Sequence, residues 1–293
     1  MCGIAGYLNL DETPASVTIM RNMINTISHR GPDNMGTYID GGFAVGHRRL
    51  SIIDLSSAGN QPMITNDGRY VISFNGEIYN YQELRLSLRS QGINIVSNTD
   101  TEVLLNYVAV NGVTALKDLN GMFAFAIWDT VDKKLLLARD RYGIKPLYVA
   151  EREGTVFFGS EIKAFFSHPK FKVDIDKHGL IEYFAFQNYF SSSTLFDGVR
   201  VLPAGHYQWI DFNKNKPAIQ KPSEYWDYNF STISPIKDKK EYLEELDRLF
   251  VQAVKRQLIS DVEIGSYLSG GMDSGSITAV ASQDLHNLKT FTI

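Results

Sequence analysis

The chain has 293 residues, 44% of them hydrophobic and 21% charged, which suits a soluble globular protein of one large domain or two ordinary ones. A formal net charge of −4 gives no basic field for a polyanion, no apolar run approaches the length of a membrane span, and the N-terminus lacks a signal-peptide pattern. A cytoplasmic protein working on small molecules, without nucleic acid or membrane partners, is expected.

Residues 2–9 read as a buried strand, and residues 17–28, with apolar Val17, Met20, Ile24 and Ile27, as a helix with one buried face. Short β-type runs follow at 45–54, 70–75, 122–129, 135–139, 147–150 and 156–160, separated by Gly, Asn and Asp. The run from Phe123 alternates as a half-buried strand does. Two helices interrupt these strands: one is opened by Asn80 with Glu83 three residues on and closed by Gly92, the other runs over 101–111 before Gly112. N-capping suffices to explain Asn80. Antiparallel sheets covered by helices, an α+β layered fold, fit this order better than a doubly wound one.

Residues 211–240 are polar and contain Pro217, Pro222 and Pro235, which reads as a connection between domains. Beyond it, a helix over 239–260 places Leu243, Leu246, Phe250, Val254 and Leu258 on one face. A strand at 264–268, a Gly-rich turn, a helix from about Ser276 and a strand at 290–293 then open an α/β domain. The predicted division is 1–210, a linker 211–238, and 239–293. So short a second part has no room for the rest of a parallel sheet, and reads as a truncated start.

The single cysteine, Cys2, rules out an internal disulfide and a cysteine-based zinc cluster, and the six histidines show no metal-ligand spacing, so no metal site is predicted. Removal of Met1 would give Cys2 a free α-amine of pKa about 7.7 to 8.0, close to that of a thiol at about 8.5, so one residue could supply both nucleophile and base. The alternative is a small residue buried in the first strand.

Several segments decide between the two: Cys2-Gly3-Ile4-Ala5-Gly6, His29-Arg30-Gly31-Pro32-Asp33, His47 to Asp54, Asn75-Gly76-Glu77-Ile78-Tyr79-Asn80, Thr99-Asp100-Thr101-Glu102, Gly121 to Phe125 and Arg139 to Leu147. In this order they resemble the class II glutamine amidotransferases of the N-terminal-nucleophile class. The resemblance implies the four-layer α/β/β/α sandwich of N-terminal-nucleophile hydrolases, with Cys2 as nucleophile and the Asn75 amide and Gly76 N–H as donors to the oxyanion. A glycine at 76 also allows close backbone approach. Arg49 is expected to take the glutamine carboxylate, and Glu77 and Asp100 its ammonium. Arg139 and Asp140 are read as structural.

The run Leu268-Ser269-Gly270-Gly271-Met272-Asp273-Ser274 follows an apolar strand and precedes a helix, where consecutive N–H groups can cradle a phosphate. It fails as a Walker A loop, because Gly271 and Met272 stand where Lys and Ser or Thr are required. It is similar to the S-G-G-x-D-S loop of ATP pyrophosphatases, which implies the start of an α/β adenine-nucleotide alpha-hydrolase-like domain. ATP with magnesium would then meet Ser269, Gly270, Gly271, Asp273 and Ser274, with Leu268 and Ile293 on the adenine side; the glutaminase half needs no cofactor. Both halves together resemble the glutamine-dependent asparagine synthetases, which implies glutamine, aspartate and ATP as substrates and a homodimer. Of this chemistry the chain is expected to retain the glutaminase half alone. The rival readings are a synthetase-like enzyme amidating another carboxylate and a relative without glutaminase activity; the Ser269–Ser274 loop argues against sugar or phosphoribosyl amidotransferases.

Overall fold

Alternation of apolar side chains along the N-terminal strands builds two stacked antiparallel sheets. The computed structural model describes residues 1–212, 217–230 and 238–292. These group into one unit of residues 1–51 and 56–227 and another of residues 52–55 and 228–293.

In chain order the first unit contains β1 (Gly3–Asn9), α1 (Val17–Asn25), β2 (Asn34–Asp40), β3 (Phe43–Arg49), β4 (Met63–Ile64), β5 (Tyr70–Ile78), α2 (Tyr81–Ser90) and α3 (Asp100–Asn111). There follow β6 (Gly121–Asp129), β7 (Lys134–Arg139), β8 (Tyr148–Arg152), β9 (Thr155–Gly159), α4 (Lys177–Phe186), β10 (Val199–Val201), β11 (His206–Asp211), β12 (Ala218–Ile219) and β13 (Ser223–Glu224). One sheet runs β10-β8-β9-β1-β3-β2; the other runs β12-β11-β7-β6-β5-β4, with β13 also on β11.

Between the sheets lie Ile4, Leu8, Phe43, Val45, Val71, Ala124, Trp128, Leu137 and Phe158, and the Phe43 and Trp128 rings stack at 4.5 Å across the layer. On the outer side of the first sheet, Ala5, Tyr7 and Phe157 pack against Met20, Met23 and Ile24 of α1. Helix α3 packs on β5 and α2 on α3, covering the second sheet. The layers are therefore α/β/β/α. Strand β6, expected to be half-buried, is apolar on both faces because the second sheet is covered on both sides, by the first sheet and by helices.

Two further local readings change. Helix α2 begins where Asn80 predicts, but the Asn80 side chain makes no capping bond. It instead clamps the 118–120 loop, its amide donating to the Asp118 carbonyl at 2.9 Å and its oxygen accepting from the Asn120 N–H at 3.0 Å. The segment read as a connection continues the second sheet, because β12 and β13 pair antiparallel with β11. Residues 213–216 and 231–237 of that segment lie outside the described residues.

The second unit contains α5 (Lys239–Arg256), β14 (Gly265–Tyr267), α6 (Met272–Asp284) and β15 (Lys289–Phe291), with β14 and β15 parallel. Phe250, Val251, Val254 and Leu258 pack against Val280, Ala281 and Leu288, whereas Leu243 and Leu246, predicted on the same face, stay exposed because α6 covers only the end of α5. No described helix is long and apolar enough to cross a membrane.

Candidate active site

The two-residue period that buries the strands also assembles the site. Ile4 and Leu8 point between the sheets, so the same parity turns Cys2 inward at the open end of β1. Phe43 and Val45 lead along the inner face of β3 to His47 and Arg49, and the pairing of Gly3 with Arg48 sets Cys2 level with Arg49. Val71 leads along β5 through Ser73 to Asn75 and Glu77. Asp100 comes from the first turn of α3, capped by the Thr99 hydroxyl, and its Oδ2 accepts the Ile78 N–H at 3.0 Å. Five candidates from four distant segments thus meet at one end of the sandwich.

Polar bonds stitch the layers together next to this end. The Ser73 hydroxyl donates to the Gly46 carbonyl at 3.2 Å, and His47 Nε2 lies 2.9 Å from the Phe74 carbonyl. His47 is fully buried, which pushes its pKa down to about 3, so it is a neutral bridge with the proton on Nε2.

Leu50 brackets the nucleophile candidate: its N–H reaches Cys2 Sγ at 3.4 Å and its carbonyl accepts the thiol at 3.5 Å. Arg30 Nε holds the Cys2 carbonyl at 2.9 Å, while Arg30 Nη1 pairs with Glu161 at 3.0 Å. Burial raises the thiol pKa; the Leu50 N–H, the positive N-terminus and Arg49 oppose that rise. Arg49 is 5% exposed and is aimed by the Ser56 carbonyl at 2.7 Å and Asn60 Oδ1 at 3.1 Å. The guanidinium lies over Gly59, where a Cβ would stand 1.9 Å from Nη2.

Two buried atoms in this compartment, Asn75 Nδ2 and Glu77 Oε1, have no hydrogen-bond partner among the described residues. Burial and then Asp100 raise Glu77 to about 7, against the charge of Lys145. Burial raises Asp100 to about 6, against N–H bonds from Ile78 and Thr101. The charge of Asp100 thus reaches Glu77. A site with a guanidinium, a pair of carboxyls, a free amide donor and a thiol holds complements to both ends and the reacting amide of an α-amino acid.

Gly76 departs from its expected reason. A Cβ there would lie 2.2 Å from the Met122 carbonyl and 2.7 Å from Phe123 Cα, so the missing side chain makes room for β6. Arg139 and Asp140 hold the 140–145 turn: Arg139 donates to the Gly143, Lys145 and Leu202 carbonyls, and Asp140 accepts from the N–H groups of Phe123, Tyr142, Ile144 and Lys145. Sequence reasoning gave no role to Gly59, Asn60, Glu161 or Lys145; the Ser-Ala-Gly-Asn run soon after Arg49 marks a turn but not the guanidinium it receives.

In the second unit, Ser269 N–H and Oγ lie 3.2 and 3.0 Å from Ser274 Oγ, which also donates to the Gly271 carbonyl at 3.1 Å. Gly270 has φ of 81°, no side chain caps α6, and nothing stands within 4 Å of a Cβ on Gly270. The leading N–H groups of α6 are thus open to an anion. Leu268 N–H donates to the Phe291 carbonyl, and Ile293 lies outside the described residues. Among the described residues, no group of three or more His, Cys, Asp or Glu is placed to hold a metal ion.

The chain belongs to the glutamine amidotransferase family, whose domain model matches residues 1–226. The asparagine synthase family model matches residues 245–293. Asparagine synthetase [glutamine-hydrolyzing] 2 of Bacillus subtilis (strain 168) is 37% identical over 312 residues, covering 100% of this chain and 40% of its own length. Asparagine synthetase [glutamine-hydrolyzing] 1 of the same organism is 38% identical over 296 residues, covering 100% and 46%. A putative asparagine synthetase [glutamine-hydrolyzing] 2 of Methanocaldococcus jannaschii is 34% identical, covering 100% and 59%. The chain thus spans about half the length of these curated relatives. Among solved structures, the glutamine phosphoribosylpyrophosphate amidotransferase of B. subtilis, complexed with ADP and GMP, shares the fold: TM-score 0.57 at 15% identity, over 99% of this chain and 65% of that one.

Proposed function

We propose that the chain hydrolyses glutamine at Cys2 and supplies the ammonia for glutamine-dependent asparagine synthesis. The observation that carries this reading is the convergence of Cys2, Arg49, Asn75, Glu77 and Asp100 at one end of the sandwich, with an unpaired buried donor and acceptor among them. Removal of Met1 exposes the Cys2 amine, which takes the thiol proton; the thiolate attacks the side-chain carbonyl of glutamine. Asn75 Nδ2 and the Gly76 N–H stabilise the oxyanion. Collapse expels ammonia with a proton returned from the amine, and water then hydrolyses the thioester to glutamate. Arg49 holds the substrate carboxylate, and Glu77 and Asp100 its ammonium.

The open N-terminus of α6 fits a nucleotide phosphate. In this reading Ser269, Gly270, Gly271 and Ser274 hold the pyrophosphate of ATP, Asp273 places magnesium or the loop, and Leu268 flanks the adenine. ATP supplies activation of the aspartate carboxylate by adenylation. By the same family reasoning the protein acts in the cytoplasm on glutamine, aspartate and ATP, and pairs as a homodimer.

The direct test is mass spectrometry before and after treatment with the glutamine-analogue electrophile diazo-oxo-norleucine. Loss of Met1 with a single adduct on Cys2 supports the reading; a folded chain left unmodified at Cys2 overturns it.

Gly59→Ala should raise KM for glutamine tenfold or more while kcat changes less, because the added Cβ occupies the place of Arg49 Nη2 and a displaced guanidinium loses a charge-assisted contact of roughly 1.5–3 kcal/mol. Steady-state kinetics checks this, and an unchanged KM would remove Arg49 from the carboxylate site.

Glutamine binding should weaken as pH falls through about 7 to 6, because the pair that receives the ammonium takes up protons there. The sign for the free protein is opposite. Both carboxyls are raised above their unfolded values, so between about pH 4 and 7 the folded state binds more protons and loses stability as pH rises. Glutamine should therefore raise the melting temperature of Cys2→Ala, which cannot turn it over, more at pH 8 than at pH 5. Equal gains at the two pH values count against the assignment.

A further inference from the structure

Lys145 has no part in the chemistry above, yet it is 4% exposed and enters the same compartment. Its backbone is fixed from both sides, the N–H donating to Asp140 Oδ2 at 2.9 Å and the carbonyl accepting from Arg139 Nε at 2.7 Å. From this anchor Nζ reaches the Met1 thioether at 3.3 Å. A thioether is a weak acceptor for a buried ammonium. It is also the group that leaves when Cys2 becomes the N-terminal residue.

The neighbouring guanidiniums are pinned by other bonds, although Arg30 Nη2 is buried without a hydrogen-bond partner among the described residues. Arg30 binds the Cys2 carbonyl and Glu161, and Arg49 binds Ser56 and Asn60. The groups whose charges act on Lys145 are Arg30, Cys2, Glu77 and Asp140, and before processing it acts in turn on the Met1 amine together with Arg30, Cys2 and Asp33. Arg49 from β3 and Asp100 from α3 complete the charged groups around the thiol. Glu77 Oε1 is buried without a partner and lies within the field of this lysine.

We propose that Lys145 is a positioning residue for the nucleophile: released from Met1 on processing, its ammonium turns to Cys2 and Glu77 and favours the thiolate and the carboxylate there. The proposal rests on Cys2 being the glutaminase nucleophile. It adds a lysine that makes the thiol of the processed chain reactive. Burial and then Arg30 lower the pKa of Lys145, and its attraction to Cys2, Glu77 and Asp140 opposes part of that fall.

The test is the pH dependence of Cys2 alkylation by iodoacetamide in the processed full chain, for wild type, Lys145→Met and Lys145→Arg. Loss of one nearby positive charge should move the Lys145→Met midpoint up by about one pH unit, slowing alkylation roughly tenfold at pH 7. Lys145→Arg should stay close to wild type. The acid limb of kcat/KM for glutamine should move with the alkylation midpoint, which a merely structural lysine would not cause. A folded Lys145→Met with the wild-type midpoint overturns the proposal. Should that variant fail to fold, Lys145→Gln decides: a shift in it but not in Lys145→Arg supports the proposal, and equal shifts or none overturn it. Alkylation needs no glutamine turnover, so a chain that alkylates at Cys2 but releases no ammonia fails the glutaminase reading while leaving this test intact.

Discussion

Cys2→Ala is expected to lower ammonia release from glutamine by at least about a thousandfold while leaving the first unit folded, because covalent catalysis has no substitute here for the thiolate. The structural cost is small. Among the described residues the thiol's hydrogen bonds are its weak contacts with the Leu50 N–H and carbonyl, so truncation removes one small atom at the end of β1, about 1 kcal/mol on the scale of buried-group deletions. Cys2→Ser should also fall steeply: thiol and α-amine are nearly matched in pKa, whereas a hydroxyl gives up its proton to the amine only during attack. Ammonia release beside a melting curve checks both variants. Activity within tenfold of wild type in Cys2→Ala would move the chemistry off this residue.

The sequence disclosed the inner ends of β1, β3 and β5 more readily than the loops that aim them. Alternation is local, so Ile4 and Leu8 reveal which way Cys2 points, and Phe43 and Val45 do the same for Arg49. The Glu161–Arg30 pair and the Lys145 contact with Met1 join residues more than 130 positions apart, and no local period encodes them. Gly59 matters because a guanidinium lies over it, which its own Ser-Ala-Gly-Asn turn does not announce. Asn80 shows the converse. Its place before a helix satisfied a local rule, but the 118–120 loop competes for both ends of its amide and wins, leaving α2 without a side-chain cap. Strand β6 likewise looked half-buried because alternation of large and small apolar residues resembles alternation of apolar and polar ones until a second layer covers the outer face.

Asn75 should show the opposite balance from an ordinary buried polar residue. It is 1% exposed, and its Nδ2 has no acceptor among the described residues. An unsatisfied buried donor costs roughly 1–3 kcal/mol. Asn75→Ala removes that cost along with the side chain's packing, so the melting temperature should hold or rise. Catalysis should suffer, because a donor aimed at developing negative charge acts mainly in the transition state: loss of one such donor lowers kcat by about 10²–10³. KM for glutamine should change little, since the carboxylate and ammonium are assigned to Arg49 and to Glu77 with Asp100. Steady-state kinetics and a melting curve on the same preparation separate the two roles. A kcat drop with preserved stability places Asn75 at the oxyanion. A large loss of stability with kcat unchanged would make it a core residue whose partner appears only on binding, and the oxyanion would then depend on the backbone at Gly76, where a Cβ has no room beside β6.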